Sequence, residues 1–217
     1  MTTLFTVLLT ASLLATPATE AALASVGPER AAALAECGVD DARLAELLAL
    51  DQTAFDQTFG EGWRWLHNFQ GCEEAAADLI ALWRDYSGKL TAPYIIYWHE
   101  GQMRAYAGQT EHAAALFDQS RTDGPEWNLY VDASIAFLRG DHAALTAARD
   151  ELATYLPTED TMAERRQFLA DNPQFTMHEG FVEQPQNLGV VDRLLACFGQ
   201  SYRDAYGGQC QPDPSKD

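Results

Sequence analysis

Positive charge is the scarcest property of this sequence. Its 217 residues include 14 lysine and arginine residues against 32 aspartate and glutamate residues, and only two of the basic residues are lysines. The formal net charge is −18 at pH 7. A protein that binds duplex nucleic acid needs a basic face that displaces counterions from the phosphates, so we expect no nucleic-acid partner.

The sequence also lacks a hydrophobic run of about 20 residues, the length that spans a bilayer. The apolar run at residues 4–15 has 12 residues, the length of the hydrophobic region of a signal peptide, and an A-x-A sequence follows at 22–24. We therefore predict a signal peptide at residues 1–21, a mature chain that begins near Ala22, and a periplasmic or secreted location with no membrane span. The alternative is that this segment, which has no lysine or arginine, is an amphipathic first helix of the fold.

Cysteine is sparse, and none of the four cysteines forms a C-x-x-C pair, which would indicate zinc binding or thiol redox chemistry. An even number after the predicted signal peptide favours two disulfides in an exported protein. Four cysteines allow three pairings, and we favour the sequential one, Cys37–Cys72 and Cys197–Cys210, because each bond closes a loop between helices. Without export, we expect the same residues to be buried thiols.

The common catalytic signatures are missing as well. There is no H-E-x-x-H, G-x-S-x-G, G-x-x-x-x-G-K-[ST] or G-x-G-x-x-G, so we predict no metal and no cofactor. The remaining candidate is a carboxylate pair, Glu100 and Asp132, with His99 beside it, which two neighbouring helices would bring together for acid–base hydrolysis. The alternative is that one of these carboxylates forms an ion pair with Arg104 or Arg139.

Helix start and stop signals recur along the chain, whereas strand signals are nearly absent. Gly71, Gly108 and Gly140 each follow an apolar stretch with helical spacing, and residues 63–69 combine aromatic side chains with the same spacing. This pattern predicts an all-α protein. We expect one domain over residues 22–217, with a repeat-like core at 58–155, a helical extension at 158–206 and a tail at 207–217.

The middle of the chain repeats itself. At an offset of 32 residues, Gly101 aligns with Ala133 and Gly108 aligns with Gly140. The repeated unit is two helices joined by a glycine turn. A small residue lies seven positions before the turn glycine, where paired helices must approach closely. We therefore predict a stack of helical hairpins, because a single hairpin cannot bury its own apolar stripe.

The repeat resembles the tetratricopeptide repeat family. The best match is residues 97–120, where Gly101, Gly108, Ala113 and Phe117 follow the pattern of that family. The units before and after are degenerate. The alternative is an unrelated helical bundle in which these glycines and alanines coincide by chance.

The resemblance implies a tetratricopeptide-like α-solenoid of antiparallel hairpins, whose first helices line a concave face. It also implies protein or peptide binding without chemistry. The residues that it would place in a concave aromatic groove are Trp65, Asn68, Trp98, Gln102, Tyr106, Trp127, Tyr130 and Ser134. The alternative for each aromatic residue is burial in the core.

Our first functional hypothesis is therefore an exported protein that binds a protein or peptide partner in this groove. If the negative charge steers binding, the partner is basic; the alternative is that the charge only keeps an exported protein in solution. The other two hypotheses are a hydrolase that uses Glu100, Asp132 and His99, and an acidic inhibitor or immunity-type protein that covers a basic enzyme.

Overall fold

The computed structural model describes residues 17–66, 69, 71–173 and 180–210. Within these ranges the regular secondary structure is helical and no strand forms, which confirms the all-α prediction. No helix in the same ranges is long and apolar enough to cross a bilayer. The chain divides into two compact units, Met1–Leu90 (unit 1) and Thr91–Asp217 (unit 2). The prediction of one domain over residues 22–217 stays a prediction.

Three α-helices lie in the described part of unit 1: α1 (Pro17–Glu36), α2 (Asp41–Ala49) and α3 (Glu73–Tyr86). α1 is kinked at Gly27, whose φ is 79°, immediately before Pro28. α2 begins where the carboxylate of Asp40 accepts a hydrogen bond from the backbone N–H of Arg43 at 2.8 Å. Each of these helices packs on the other two, which makes unit 1 a small three-helix assembly.

The predicted signal peptide falls mostly on residues 1–16, which lie outside the described residues. Residues 17–21 form the first turns of α1, where the side chain of Thr19 is fully buried, as is that of Ala22. Cleavage before Ala22 would remove this start of α1. The signal peptide and its cleavage site therefore stay predictions.

The segment between α2 and α3 is irregular. It contains one π-helical turn, Thr53–Gln57, and residues 62–65 form turns where the aromatic spacing at 63–69 predicts the start of a helix; residues 67 and 68 of that prediction lie outside the described residues. The prediction fails because tertiary contacts use these aromatic residues. The side chain of Asp56 is fully buried and accepts a hydrogen bond from Trp63 Nε1 at 2.8 Å. At the described residues 58–66, the first helix of the earliest predicted hairpin is therefore not an α-helix.

The described part of unit 2 contains α4 (Pro93–Tyr106), α5 (Thr110–Gln119), α6 (Pro125–Leu138), α7 (His142–Leu152), α8 (Glu159–Asp171), α9 (Leu188–Ala196) and α10 (Tyr202–Gly207). α4 packs along α5 and α6 packs along α7, which gives two neighbouring hairpins. The turns at Gly108 and Gly140 have φ values of 76° and 69°, a conformation that glycine adopts without a steric penalty.

The first hairpin closes around one glycine. A Cβ atom on Gly101 would lie 2.7 Å from the ring of Phe117, so the absence of a side chain lets α4 and α5 approach closely. Phe117 is fully buried and stacks on Trp98 with ring centroids 4.3 Å apart. The packed hairpin is confirmed, and its arrangement as a tetratricopeptide-like solenoid stays a prediction.

The C-terminal helices of unit 2 are unequal in their packing. α9 packs on both α6 and α7, and α10 packs on α9 and α4, whereas α8 buries none of its residues. Both disulfides follow the predicted sequential pairing, with Cα atoms 5.8 Å apart in Cys37–Cys72 and in Cys197–Cys210. One disulfide therefore lies in each unit.

Candidate functional site

Four of the residues predicted to line an aromatic groove are sealed in the interior of unit 2. Trp98, Gln102, Tyr130 and Ser134 are 3%, 6%, 2% and 0% exposed. The ring of Trp98 lies between those of Phe117 and Tyr130, with centroids 4.3 and 4.4 Å away. The prediction of an open groove is wrong for these four positions, because their side chains fill the space between α4, α6 and other helices of the unit.

The other four predicted groove residues have mixed surroundings. Trp127 is half-buried, and its indole N–H donates a hydrogen bond to the carbonyl oxygen of Ser120 at 2.7 Å. Tyr106 is half-buried, and so is Trp65, which belongs to unit 1. Asn68 lies outside the described residues, so its place in a groove stays a prediction.

Four tyrosines meet where α10 covers the inner faces of α4 and α6. The ring centroid of Tyr106 lies 6.0 Å from that of Tyr202 and 6.2 Å from that of Tyr206. Burial raises the pKa of Tyr106, Tyr130 and Tyr202 above the ordinary value of a phenol, and the nearby hydroxyl of Tyr206 raises it further. These phenols are therefore neutral at physiological pH and act as hydrogen-bonding groups instead of bases.

The candidate carboxylate pair does not form an accessible site. The side chain of Glu100 is 3% exposed and lies 3.7 Å from Arg104, as the ion-pair alternative predicts. Asp132 is half exposed and lies 2.6 Å from Arg121. His99 is buried. The two carboxylates thus have different surroundings, and a substrate cannot reach the buried Glu100.

Within the part of the chain that the structure describes, no group of three or more histidine, cysteine, aspartate or glutamate side chains is placed to hold a metal ion. The cysteines are paired in disulfides. With both disulfides formed, no cysteine has a free thiol that could act as a nucleophile.

An open depression of about 550 Å³ lies between α6 and α7. This volume falls within the roughly 300–1,000 Å³ that is typical of ligand sites. Its apolar lining consists of Leu129, Ile135, Ala136, Ala144, Ala147 and Ala148. The lining covers about three turns of each helix, so the depression is roughly 15 Å long. Small side chains along such a length leave room for the backbone of another helix.

Acidic side chains dominate the rim of this depression. The charged lining residues are Asp132, Asp141, Glu151 and Arg139. Arg121 neutralises Asp132, and Asp141 also caps α7 by accepting a hydrogen bond from the backbone N–H of Ala144 at 3.0 Å. Glu151 forms no ion pair with any residue that the structure describes. The rim therefore carries a net negative charge that favours a basic ligand.

The sequence pattern does not predict this depression. The feature of the sequence that relates to it is the high alanine content of α7. In the structure, Ala144 and Ala147 of this helix are exposed, while Leu145 and Leu152 are fully buried. Alanine suits a buried helix face as well as an exposed one. The sequence therefore could not indicate which face of α7 stays open.

No family model, no curated protein and no solved structure matches this chain at a significant level. The likeness of residues 97–120 to the tetratricopeptide repeat family is therefore a resemblance of pattern alone. The chemistry of the exposed surface is the available guide to function.

Proposed function

We propose that this protein is a non-catalytic binding protein that takes an α-helix of a partner protein into the depression between α6 and α7. The observation that carries the proposal is an alanine-lined trough with an acidic rim on the surface of two packed helices. Its length suits about three turns of a helix. The partner helix has small or branched apolar side chains on one face and lysine or arginine on the flanks of that face.

The negative charge of the rim favours this occupant over an acidic or purely apolar one. Asp141 and Glu151 lie toward the two ends of α7, so basic residues about two to three turns apart on the partner would meet both. The formal charge of −18 adds a long-range attraction that falls with salt. A basic enzyme covered by this protein would be one such partner, as the acidic-inhibitor hypothesis holds.

We place this binding outside the cytoplasm. The two disulfides support an oxidising compartment, where such bonds persist. A periplasmic or secreted location also agrees with the 12-residue apolar run at 4–15. Intact mass of the protein purified from the producing cell tests both points. We expect loss of residues near 1–21 and four hydrogens fewer than the fully reduced chain; a full-length, reduced chain would contradict export.

The trough itself is tested with a short synthetic amphipathic helix that has leucine on one face and lysine and arginine beside it. We expect saturable binding by fluorescence anisotropy, weakened by salt and absent for the same peptide with glutamate in place of its basic residues. Ala147→Trp fills the trough and should abolish binding. Ala143→Trp is the matched control, because Ala143 is also exposed on α7 but does not line the trough.

Equal binding by the two tryptophan variants would place the peptide elsewhere and contradict the proposal. For the natural partner, a photo-crosslinking residue at position 147 should capture one partner helix in the producing cell. The same residue at position 143 should not. Capture that does not differ between the two positions would count against the trough.

A further inference from the structure

The lining of the trough between α6 and α7 is spaced like the seam of a helical bundle. On each helix, lining residues lie in a row whose successive members are three, four and three positions apart. These rows are Leu129, Asp132, Ala136 and Arg139 on α6, and Asp141, Ala144, Ala148 and Glu151 on α7. Alternating steps of three and four keep one stripe of a helix facing its neighbours in a four-helix bundle. The trough therefore has the spacing of half such an interior, and a second pair of helices with the same spacing would complete it.

A second copy of this hairpin has the matching shape. α6 and α7 run in opposite directions from the turn at Gly140, so the lining residues of one helix lie level with those of the other. α6 contributes the larger apolar side chains, Leu129 and Ile135, whereas the apolar lining of α7 is alanine alone. Two hairpins stacked face to face with their turns at the same end would place each α6 over the α7 of the other copy. Large side chains would then lie over small ones, as close packing requires.

Charge complementarity favours the same arrangement of two copies. The side chain of Arg139 is 56% exposed and lies 4.0 Å from the still more exposed Glu111. With the turns at the same end, each Arg139 would lie over the second copy's Asp141, whose Oδ1 caps α7. With the turns at opposite ends, Asp141 would instead face Glu151 across the interface, and like charges would repel. The charges therefore select the stacking of α6 over α7.

We infer that two copies of this protein form a two-fold symmetric dimer through the trough, with the turns at Gly140 at the same end, and that this dimer regulates access to the trough. The interface is isologous, because the same face of each copy supplies both halves. The inference rests on the proposed function in one respect, which is that the partner helix and the second copy compete for one trough. At high concentration the free protein covers its own trough, and the partner helix binds the monomer.

Salt should affect the two occupants in opposite directions. Each copy has a formal net charge of −18, so two copies repel at long range, whereas a basic helix is attracted. Raising the ionic strength from about 0.01 to about 0.15 M shortens the Debye length from about 30 to about 8 Å. Dimerisation should therefore strengthen over this range, while binding of the basic peptide weakens.

Reversal of charge tests the interface by sedimentation equilibrium of the full-length protein. Arg139→Glu and Asp141→Lys each turn two attractive contacts into two repulsive ones. We expect each variant alone to dimerise about tenfold or more weakly than the wild type. An equimolar mixture of the two variants should recover the dimer, because both contacts of the mixed dimer again join opposite charges. Recovery also shows that neither variant has lost its fold.

Two control variants make the same changes of charge outside the trough. Arg166→Glu lies on α8 and Asp150→Lys lies on α7, where both side chains are exposed and neither lines the trough. We expect both to dimerise almost as the wild type does. Equal weakening by Arg139→Glu and Arg166→Glu would make the effect one of net charge and would overturn the inference.

Three further results would each contradict the dimer that we infer. A wild type that stays monomeric at about 0.1 mM protein in about 0.15 M salt has no such interface. A mixture of Arg139→Glu and Asp141→Lys that does not recover the dimer contradicts the contact between these positions. Tighter association of the Asp141→Lys variant alone would mean that the turns lie at opposite ends, where the lysine would meet Glu151.

The basic peptide of the trough experiment separates this inference from the proposed function. Sedimentation with an excess of the peptide should give the mass of one chain with one peptide, because the peptide and the second copy compete. Peptide bound to an intact dimer would overturn the inference and leave the proposed function standing. A dimer that recovers in the mixture but never binds the peptide would overturn the proposed function and leave the self-association standing.

Discussion

Unit 1 and unit 2 are both helical, yet the contacts within unit 1 differ in kind from the contacts within unit 2. The irregular segment of unit 1 depends on single long-range contacts, such as the Trp83 indole N–H that donates to the carbonyl oxygen of Leu50 at 3.2 Å and the stacking of Trp83 on Phe55 at 4.6 Å. Unit 2 is made of regular hairpins whose contacts repeat along each helix. A substitution at one such residue should therefore lower the free energy of unfolding of unit 1 sharply. In unit 2 the loss should instead scale with the side-chain volume or buried area that the substitution changes.

The largest expected effect comes from removal of the two disulfides. In the chain-entropy model, the Cys37–Cys72 and Cys197–Cys210 bonds, with separations of 35 and 13 residues, contribute about 4 and about 3 kcal/mol. Loss of the first should destabilise the whole of unit 1, because its loop contains α2 and the irregular segment. Loss of the second should be felt locally around α10.

Chemical denaturation with hydrogen exchange read separately in each unit measures this contrast. Serine substitution of each cysteine pair gives the two variants. Equal, global destabilisation of unit 2 by loss of its own disulfide would contradict the difference that we draw between the units.

The second expected effect compares two glycines. A Cβ atom on Gly62 would overlap the backbone of Phe55, and its φ of 53° is left-handed, so Gly62→Ala should destabilise unit 1 by about 3 kcal/mol or more. Gly101→Ala in unit 2 meets the ring of Phe117, and we expect overpacking to cost about 2 kcal/mol. Urea denaturation of each variant gives the two free energies of unfolding.

Gly60→Ala is the control for Gly62→Ala, since Gly60 also has a positive φ of 78° but has open space where a Cβ would lie. Its effect should be only about 1 kcal/mol. If Gly60→Ala and Gly62→Ala were equal, backbone conformation alone and not the close approach to Phe55 would account for both.

The third effect is a loss of stability at alkaline pH that we expect in unit 2 and to a far smaller extent in unit 1. The folded state raises the pKa of Tyr106, Tyr130 and Tyr202 through burial, so folded unit 2 retains protons that the unfolded chain releases. The stabilisation is complete below the unfolded phenol pKa of about 10 and is lost as the pH rises above it. Unit 1 contains a single tyrosine, Tyr86, and should be far less affected.

Just above pH 10, the loss of stability in unit 2 should be smaller than the effect of either glycine substitution. The reason is that this loss is zero below pH 10 and increases gradually as the pH rises. Absorbance at the phenolate band after a rapid pH jump should show early and late titrating tyrosines, with the late phase coincident with unfolding of unit 2. Simultaneous titration of all eight tyrosines, with no change in unit 2, would contradict the burial argument.

The smallest expected effect is the loss of a helix N-cap, which should cost the two units about the same. Asp40 caps α2 in unit 1 and Asp141 caps α7 in unit 2 through the same carboxylate-to-backbone hydrogen bond, at 2.8 and 3.0 Å. Asp40→Ala and Asp141→Ala should each cost about 1 kcal/mol, because a cap acts on the first turn alone. Thermal unfolding of both variants measures the pair. A several-fold difference between them would mean that the caps are coupled to the surrounding tertiary structure.

The parts of the fold that follow from local rules were predictable. The glycine turns at Gly108 and Gly140 and the apolar spacing of the helices follow from neighbouring residues. The close approach at Gly101 was also predictable, because a small residue lies seven positions before the turn glycine in two successive units, at Gly101 and Ala133. These features depend on periodicity, which the sequence contains in full.

The parts that failed depend on contacts that the helical pattern does not contain. The aromatic spacing at 63–69 predicts a helix, but the indole of Trp63 donates a hydrogen bond to the buried Asp56, seven residues earlier, and residues 62–65 form turns instead. Trp98 and Tyr130 are predicted to line an open groove, yet both are buried, and no local rule shows that other parts of unit 2 pack against them. The carboxylates Glu100 and Asp132 occupy equivalent positions in the repeat but differ in burial.

The sequence by itself determined that this chain is helical and strongly acidic, because periodicity and charge are properties of the string of residues. It favoured the sequential pairing of the cysteines without excluding the other two pairings. Only the tertiary structure decided which of the amphipathic faces remain open. Covering a face requires a second segment from elsewhere in the chain, as α10 covers α4 and α6. The trough between α6 and α7 stays open because the structure places no such segment from its described residues over it.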